Sequence, residues 1–171
     1  MYLILVLCVW ITFGLIFVRW NRWRDYYPTI LFYCVINLLY DFLYYNHTLW
    51  EFKAVTTDKI NHTIISIAFF FIVIPVAVMI FLDKFPQKRK QQILYILAWS
   101  LFFWFIELLF YLKGMFVYYN GWTIWHSAWF DVLMFTIFRI HFVKPILALI
   151  ITTISIIVFI VLFPIPFASL K

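Results

Sequence analysis

The sequence predicts an all-α fold: a polytopic transmembrane helical bundle of six helices, forming one domain over residues 1–171, with both termini outside. Three observations carry this. First, 67% of the 171 residues are hydrophobic and only 12% are charged, whereas soluble domains are nearer half apolar and a quarter charged. So short a chain has no core large enough to hide that surface from water, so its solvent is lipid. Second, the apolar residues fall into stretches of about 20, the length that crosses a ~30 Å hydrocarbon core at about 1.5 Å per residue. Third, the basic residues lie in short segments between these stretches, and they fall unevenly on the two sides.

The first span is expected over about 2–18. It is uncharged, and its basic cluster, Arg19, Arg22 and Arg24, follows it. A signal peptide has the opposite order and a small-residue cleavage site, so the run reads as a retained helix. Trp20, Trp23, Tyr26 and Tyr27 form an interfacial aromatic belt. The second span, 28–46, opens on Pro28, whose missing N–H costs nothing in a first turn. Asn37 and Asp41, four apart, share one of its faces. Two N-x-T triplets follow, at Asn46 and Asn61. Asn61 or Thr63 reads better as a helix cap than as a glycosylation acceptor.

The third span, 63–82, carries Pro75, which predicts a kink supported by neighbouring helices. The basic loop DKFPQKRKQQ leads to the fourth, 93–112, which holds Glu107. The fifth, 122–138, holds His126, Ser127 and Asp131, and Arg139, His141 and Lys144 make the next loop. The sixth, 145–163, ends at Pro164 and Pro166. The segments YYNHTLW and YYNGWTIW echo one another after the second and fourth spans, as interface chemistry alone would produce.

With both termini outside, the inner side holds Arg19, Arg22, Arg24, Lys84, Lys88, Arg89, Lys90, Arg139 and Lys144. The outer side holds only Lys53, Lys59, Lys113 and Lys171. Cytoplasmic loops are marked by such an excess of Lys and Arg, and the inverted topology breaks that rule. The net charge of +6 is therefore used up in loops, and no basic surface is left over for nucleic acid. Cys8 and Cys34 are too few for a disulfide framework or a Cys-based zinc motif. No Gly-rich phosphate loop, nucleophile elbow or paired-His helix is present. No cofactor, metal ligand or catalytic residue is assigned.

The sharpest chemical clue is a layer of acids. Measured along ideal helices from the inner side, Asp41 and Glu107 lie about 20 Å in and Asn37 about 14 Å in. Asp131 lies about 14 Å down from the outer side, with Ser127 one turn above it and His126 higher still. The expected polar layer is thus Asn37, Asp41, Glu107, His126, Ser127 and Asp131, just outside the midplane, with no Lys or Arg at that depth. Carboxylates inside a bilayer are costly and face the bundle or a wet cavity. Three of them close together cannot all be ionised. Three readings stay open: interhelical glue, in which Leu at 131 would deprive partners of a hydrogen bond; a proton or cation pathway; and a catalytic or metal site that adds His126, His47 or His62.

The segments YYPTILFY, NLLYDFLYYNHTLWEF, LYILAWS, IELLFY, NGWTIWHS and FRIHFVKPILAL together resemble an uncharacterised multi-pass membrane family of Bacillus-type, spore-forming Gram-positive bacteria. The similarity runs over most of the chain. It implies a bacterial cell-membrane protein of this length, with a looser association to sporulation, and it supplies no catalytic residues. The leading expectation is a non-enzymatic accessory or envelope component. A small proton-coupled or cation transporter using the intramembrane acids is second, and an intramembrane enzyme third. Expected partners are the lipid bilayer, other membrane proteins or further copies of the chain.

Overall fold

The computed structural model describes residues 2–55 and 61–166. Lys59 and Lys171, counted above on the outer side, lie outside them. Among the described residues the chain is mostly helical, with six helices. In order they are α1 (Tyr2–Phe17), α2 (Trp23–Leu43), α3 (His62–Asp83), α4 (Arg89–Leu112), α5 (Ile124–Val143) and α6 (Pro145–Leu162). Two short strands join them: β1 (Trp50–Phe52) before α3 and β2 (Phe116–Tyr118) before α5, paired antiparallel with Glu51 opposite Val117. Four helical stretches are long and apolar enough to cross a membrane: Trp20–Leu43, His62–Asp83, Arg89–Leu112 and Pro145–Leu162. The α1 helix is shorter, about 24 Å. The α5 helix has the length, but His126, Asp131, Arg139 and His141 lower its hydropathy.

Several boundaries differ from expectation. The α2 helix starts at Trp23, not Pro28, after a 3-10 turn over Trp20–Arg22. Pro28 therefore lies inside the helix, in its second turn, where it removes the donor that would bond the Arg24 carbonyl. The α4 helix starts at Arg89, not 93, with the Gln92 amide N–H donating to the Lys88 carbonyl at 3.0 Å. The α5 helix runs on to Val143 because Arg139 and His141, expected in a loop, find partners without leaving the helix. The Arg139 guanidinium lies 4.4 Å from the Phe85 ring centroid, and His141 Nδ1 is 3.0 Å from Thr29 Oγ1. Lys144 then turns extended (φ −141°, ψ 76°), as a residue before proline must. Of the two candidate caps for α3, Asn61 is used, its Oδ1 accepting from the Ile64 N–H at 3.0 Å.

The core is built on α3. Ile74 and every residue from Val76 to Leu82 are buried, against α1, α2 and α5. Phe81 meets Tyr95 of α4 and Phe135 of α5, with ring centroids 5.4 and 5.0 Å away. Helix α1 approaches closely at Gly14, where an added Cβ would stand 3.2 Å from Val76 Cγ2. The expected Pro75 kink is absorbed as a π turn over Phe69–Val73, in which the Ile74 N–H bonds back to the Phe69 carbonyl. Widening the turn accommodates the proline ring and its missing donor.

The outward faces are apolar from end to end: Leu15 on α1, Leu94 and Leu101 on α4, and Ile146, Ile154 and Val161 on α6 are all more than half exposed. Large exposed apolar faces of this kind mark contact with a membrane or with another protein. The helix ends gather into two groups. Asp83, Arg19 and Arg22 meet at one end. The β ribbon, with Tyr44 donating to the Phe163 carbonyl at 3.1 Å and Asn120 to the Thr48 carbonyl at 2.8 Å, closes the other. The echoed segments therefore touch because both loops leave the same end. They are not equivalent: Tyr44 caps α2, whereas Tyr118 lies in β2.

Candidate functional site

Beneath the ribbon lies a cavity of about 140 Å³. Helix α2 contributes Asn37 and Asp41, α3 contributes His62 and Ser66, α4 contributes Glu107, and α5 contributes Ser127 and Asp131. Trp50 and Phe52 of β1 and Phe116 of β2 close it on the ribbon side, and the π turn of α3 supplies Phe69, Phe70 and Val73. A π turn rotates the following side chains relative to an α-helix, and such turns recur at functional sites. No Lys or Arg lines the cavity.

Five of the six residues expected in the polar layer, Asn37, Asp41, Glu107, Ser127 and Asp131, share this cavity. His126 does not: its ring caps α5, with Nδ1 2.8 Å from Thr123 Oγ1, and packs on Trp122 and Phe163. The depth also differs. Asp41 and Glu107 each sit 18 residues from the start of their helices, about 27 Å along them. Asp131 is seven residues from the start of α5, about 10 Å. The acids thus lie in the ribbon-side half. Asp41 and Asp131 are nearer the helix ends than expected because α2 stops at Leu43 and α5 starts at Ile124, while Glu107 keeps its expected distance from the end of α4.

The three acids are not alike. Glu107 is satisfied: its Oε1 accepts from the Tyr118 hydroxyl at 2.6 Å, and Ser127, which takes the Trp122 indole N–H at 2.9 Å, stands beside it. Burial, reinforced by the bond to Glu107, raises the Tyr118 phenol above its ordinary range, so it remains a donor. Asp131 is 5% exposed, and its Oδ2 has no hydrogen-bond partner. Its electrostatic neighbour is Glu107. Asp41 lines the same space, and the three acids do not converge on one point. The site is therefore a Glu107–Asp131 pair with Asp41 apart, rather than three mutually close carboxylates.

His62 accepts the Phe52 N–H at Nδ1 (3.0 Å), which puts its proton on Nε2, 3.4 Å from Ser66 Oγ. Among the described residues no three His, Cys, Asp or Glu side chains stand close enough to hold one metal ion.

No protein-family model, curated protein or solved structure matches this chain. The site's meaning must come from its own chemistry.

Sequence reasoning missed Tyr118 and the ribbon, and offered His62 only as one of three histidines for a catalytic or metal site. A signal for the ribbon was present: Lys113-Gly114 and Asn120-Gly121 bracket FVYY, and Gly114, Asn120 and Gly121 all adopt positive φ. Tyr118→Phe should cost about 1–3 kcal/mol, the penalty for leaving a buried acceptor unmade. Melting in detergent measures it. In the Tyr118→Phe, Glu107→Gln double variant the two losses should be less than additive, and strict additivity would mean that the bond carries no energy.

Proposed function

We propose that this chain is a multi-pass protein of a bacterial cell membrane with six spans and both termini outside, and that its acid-lined cavity handles protons or a small cation as part of a transport path. The observation that carries the functional half is Asp131. Glue needs bonds between helices, yet the most buried acid of the site offers Oδ2 to no protein donor. A carboxyl group buried without a protein partner is costly and persists where it has a task. This favours the transport reading over an accessory or envelope role. The resemblance to the Bacillus-type family supports the bacterial setting.

The topology is supported by the charge at the two ends. Arg19, Arg22, Arg24, Lys84, Lys88, Arg89, Lys90 and Lys144 lie at helix ends opposite the ribbon, and only Lys53 and Lys113 lie beside it among the described residues. Reporter fusions after Arg24, Lys90 and Lys144 should read cytoplasmic, and after Lys53 and Lys113 external. A cytoplasmic signal at Lys53 would invert the arrangement.

The functional half is tested by reconstituting the purified protein in liposomes containing a pH-sensitive dye. A proton or cation gradient should produce flux in the parent and at least tenfold less in Asp131→Asn, because an amide neither exchanges a proton nor holds a cation. Absence of flux in the parent removes the transport reading.

A further inference from the structure

We propose that the cavity is a binding site for a small protonated amine, one ammonium group bearing N–H on an apolar body of about four to six heavy atoms. The inference rests on the cation-handling reading above and names the class of cation.

Three features of the cavity narrow the choice. The first is charge. Three acids line the space and no Lys or Arg does. A buried carboxylate is stabilised by pairing, and a cationic occupant supplies the pairing that the walls do not. The second is coordination. A bare hard cation such as calcium or magnesium collects about six to eight oxygens around itself. Here no three acid, His or Cys side chains converge on one point among the described residues. The carboxylates are spread around the walls, which suits an occupant larger than a bare ion. The third is the wall itself, which is largely aromatic: Tyr33, Tyr40, Trp50, Phe103, Trp122 and Phe130 all line it. Aromatic faces attract organic cations, most strongly when desolvated, and give no such attraction to an inorganic anion.

Asp131 lines the cavity and its Oδ2 takes no donor from the protein. A protonated amine donates a hydrogen bond to this carboxyl group, and a tetraalkylammonium cannot. Glu107 has its Tyr118 bond already, at 2.6 Å, and so serves as a second, weaker counter-charge. Size follows from volume. An apolar protein cavity of about 150 Å³ is large enough to take benzene. The cavity here, about 140 Å³, therefore admits an alkyl group of that order.

The test is calorimetric titration of the detergent-purified full chain with n-butylammonium, tetramethylammonium and n-butanol, with Asp131→Asn in the same detergent as the control for micelle partition. Butylammonium should bind saturably, at least tenfold more tightly than butanol and than tetramethylammonium, as expected for one charge-assisted hydrogen bond. Asp131→Asn should lose at least tenfold in affinity. Equal binding of butanol would overturn the proposal and leave only an apolar hole. Equal or tighter binding of tetramethylammonium would overturn the role of the N–H donor. Unchanged affinity in Asp131→Asn would overturn the site. Should that variant fail to fold, the three-ligand comparison on the parent still decides. Dye-reported flux without butylammonium binding would sink this inference alone and leave proton handling standing. Neither flux nor binding would sink both, and binding without flux would uphold the amine site while removing transport.

Discussion

Asp131→Leu should make this protein more stable and less able to handle a cation. The carboxylate is 5% exposed, its Oδ2 meets no donor, and Glu107 is its electrostatic neighbour. In the native chain the group carries a desolvation cost that no protein contact offsets. Replacing a buried polar group left without a partner by an apolar residue of similar volume removes that group's desolvation penalty, about 1–3 kcal/mol. The sequence reading points the other way, since a glue residue replaced by Leu deprives its partners of a bond. No such partner exists for Oδ2, which reverses the sign. Glu107→Leu should behave oppositely and destabilise, because Tyr118 would lose its acceptor. Melting of the two variants in detergent therefore separates the acids. A midpoint for Asp131→Leu clearly below the parent would mean that the oxygen has a partner in the folded protein after all. Activity retained in Asp131→Leu would remove the residue from the transport path. Stability gained at the expense of activity is the pattern expected where a strained group is kept for function.

Much of this arrangement was legible in the sequence, for physical reasons that differ by element. The helices were readable because lipid imposes length: apolar runs of about 20 residues have few other uses. Their ends were less readable. Pro28 looks like a first-turn residue, yet α2 begins earlier because Trp23 to Tyr27 continue the helix into the interfacial belt. The acids stand out for the opposite reason, since any charge inside such runs is conspicuous. That Asn37, Asp41, Glu107, Ser127 and Asp131 share one cavity follows from their common side of the bundle. Which of them are paired does not follow, because the deciding partners come from outside the runs. Tyr118 is in a loop strand, and His62 is positioned by the Phe52 backbone. The ribbon was hidden because three-residue strands rich in aromatics look like any interfacial belt. Only the positive-φ residues at its flanks mark it.

Asp83→Ala should be the most damaging single change at the end opposite the ribbon. The residue stands in a loop sequence crowded with Lys and Arg, where it reads as an ordinary solvated acid. In the fold its side chain is only 4% exposed and collects three donors: Arg19 Nε at 2.7 Å, Arg22 Nη1 at 3.2 Å and Tyr26 Oη at 2.6 Å. These come from the α1–α2 linker and the first turn of α2, so one carboxylate ties three helices together where α3 ends. The hydrogen bond to Asp83 also raises the Arg19 guanidinium above its ordinary value. Both arginines are largely exposed, so their charges rejoin water at little cost when the acid is removed. Tyr26 is not exposed: at 1% its hydroxyl would be left buried without an acceptor. The loss should therefore lie between a surface pair and a fully buried one, about 2–3 kcal/mol. Tyr26→Phe should recover part of it in the Asp83→Ala background by removing the stranded hydroxyl, while costing about 1 kcal/mol alone. Melting of the parent, both single variants and the double variant in detergent tests this. Equal melting of Asp83→Ala and the parent would show that the clamp contributes nothing, and failure of Tyr26→Phe to rescue would place the cost on the arginines instead.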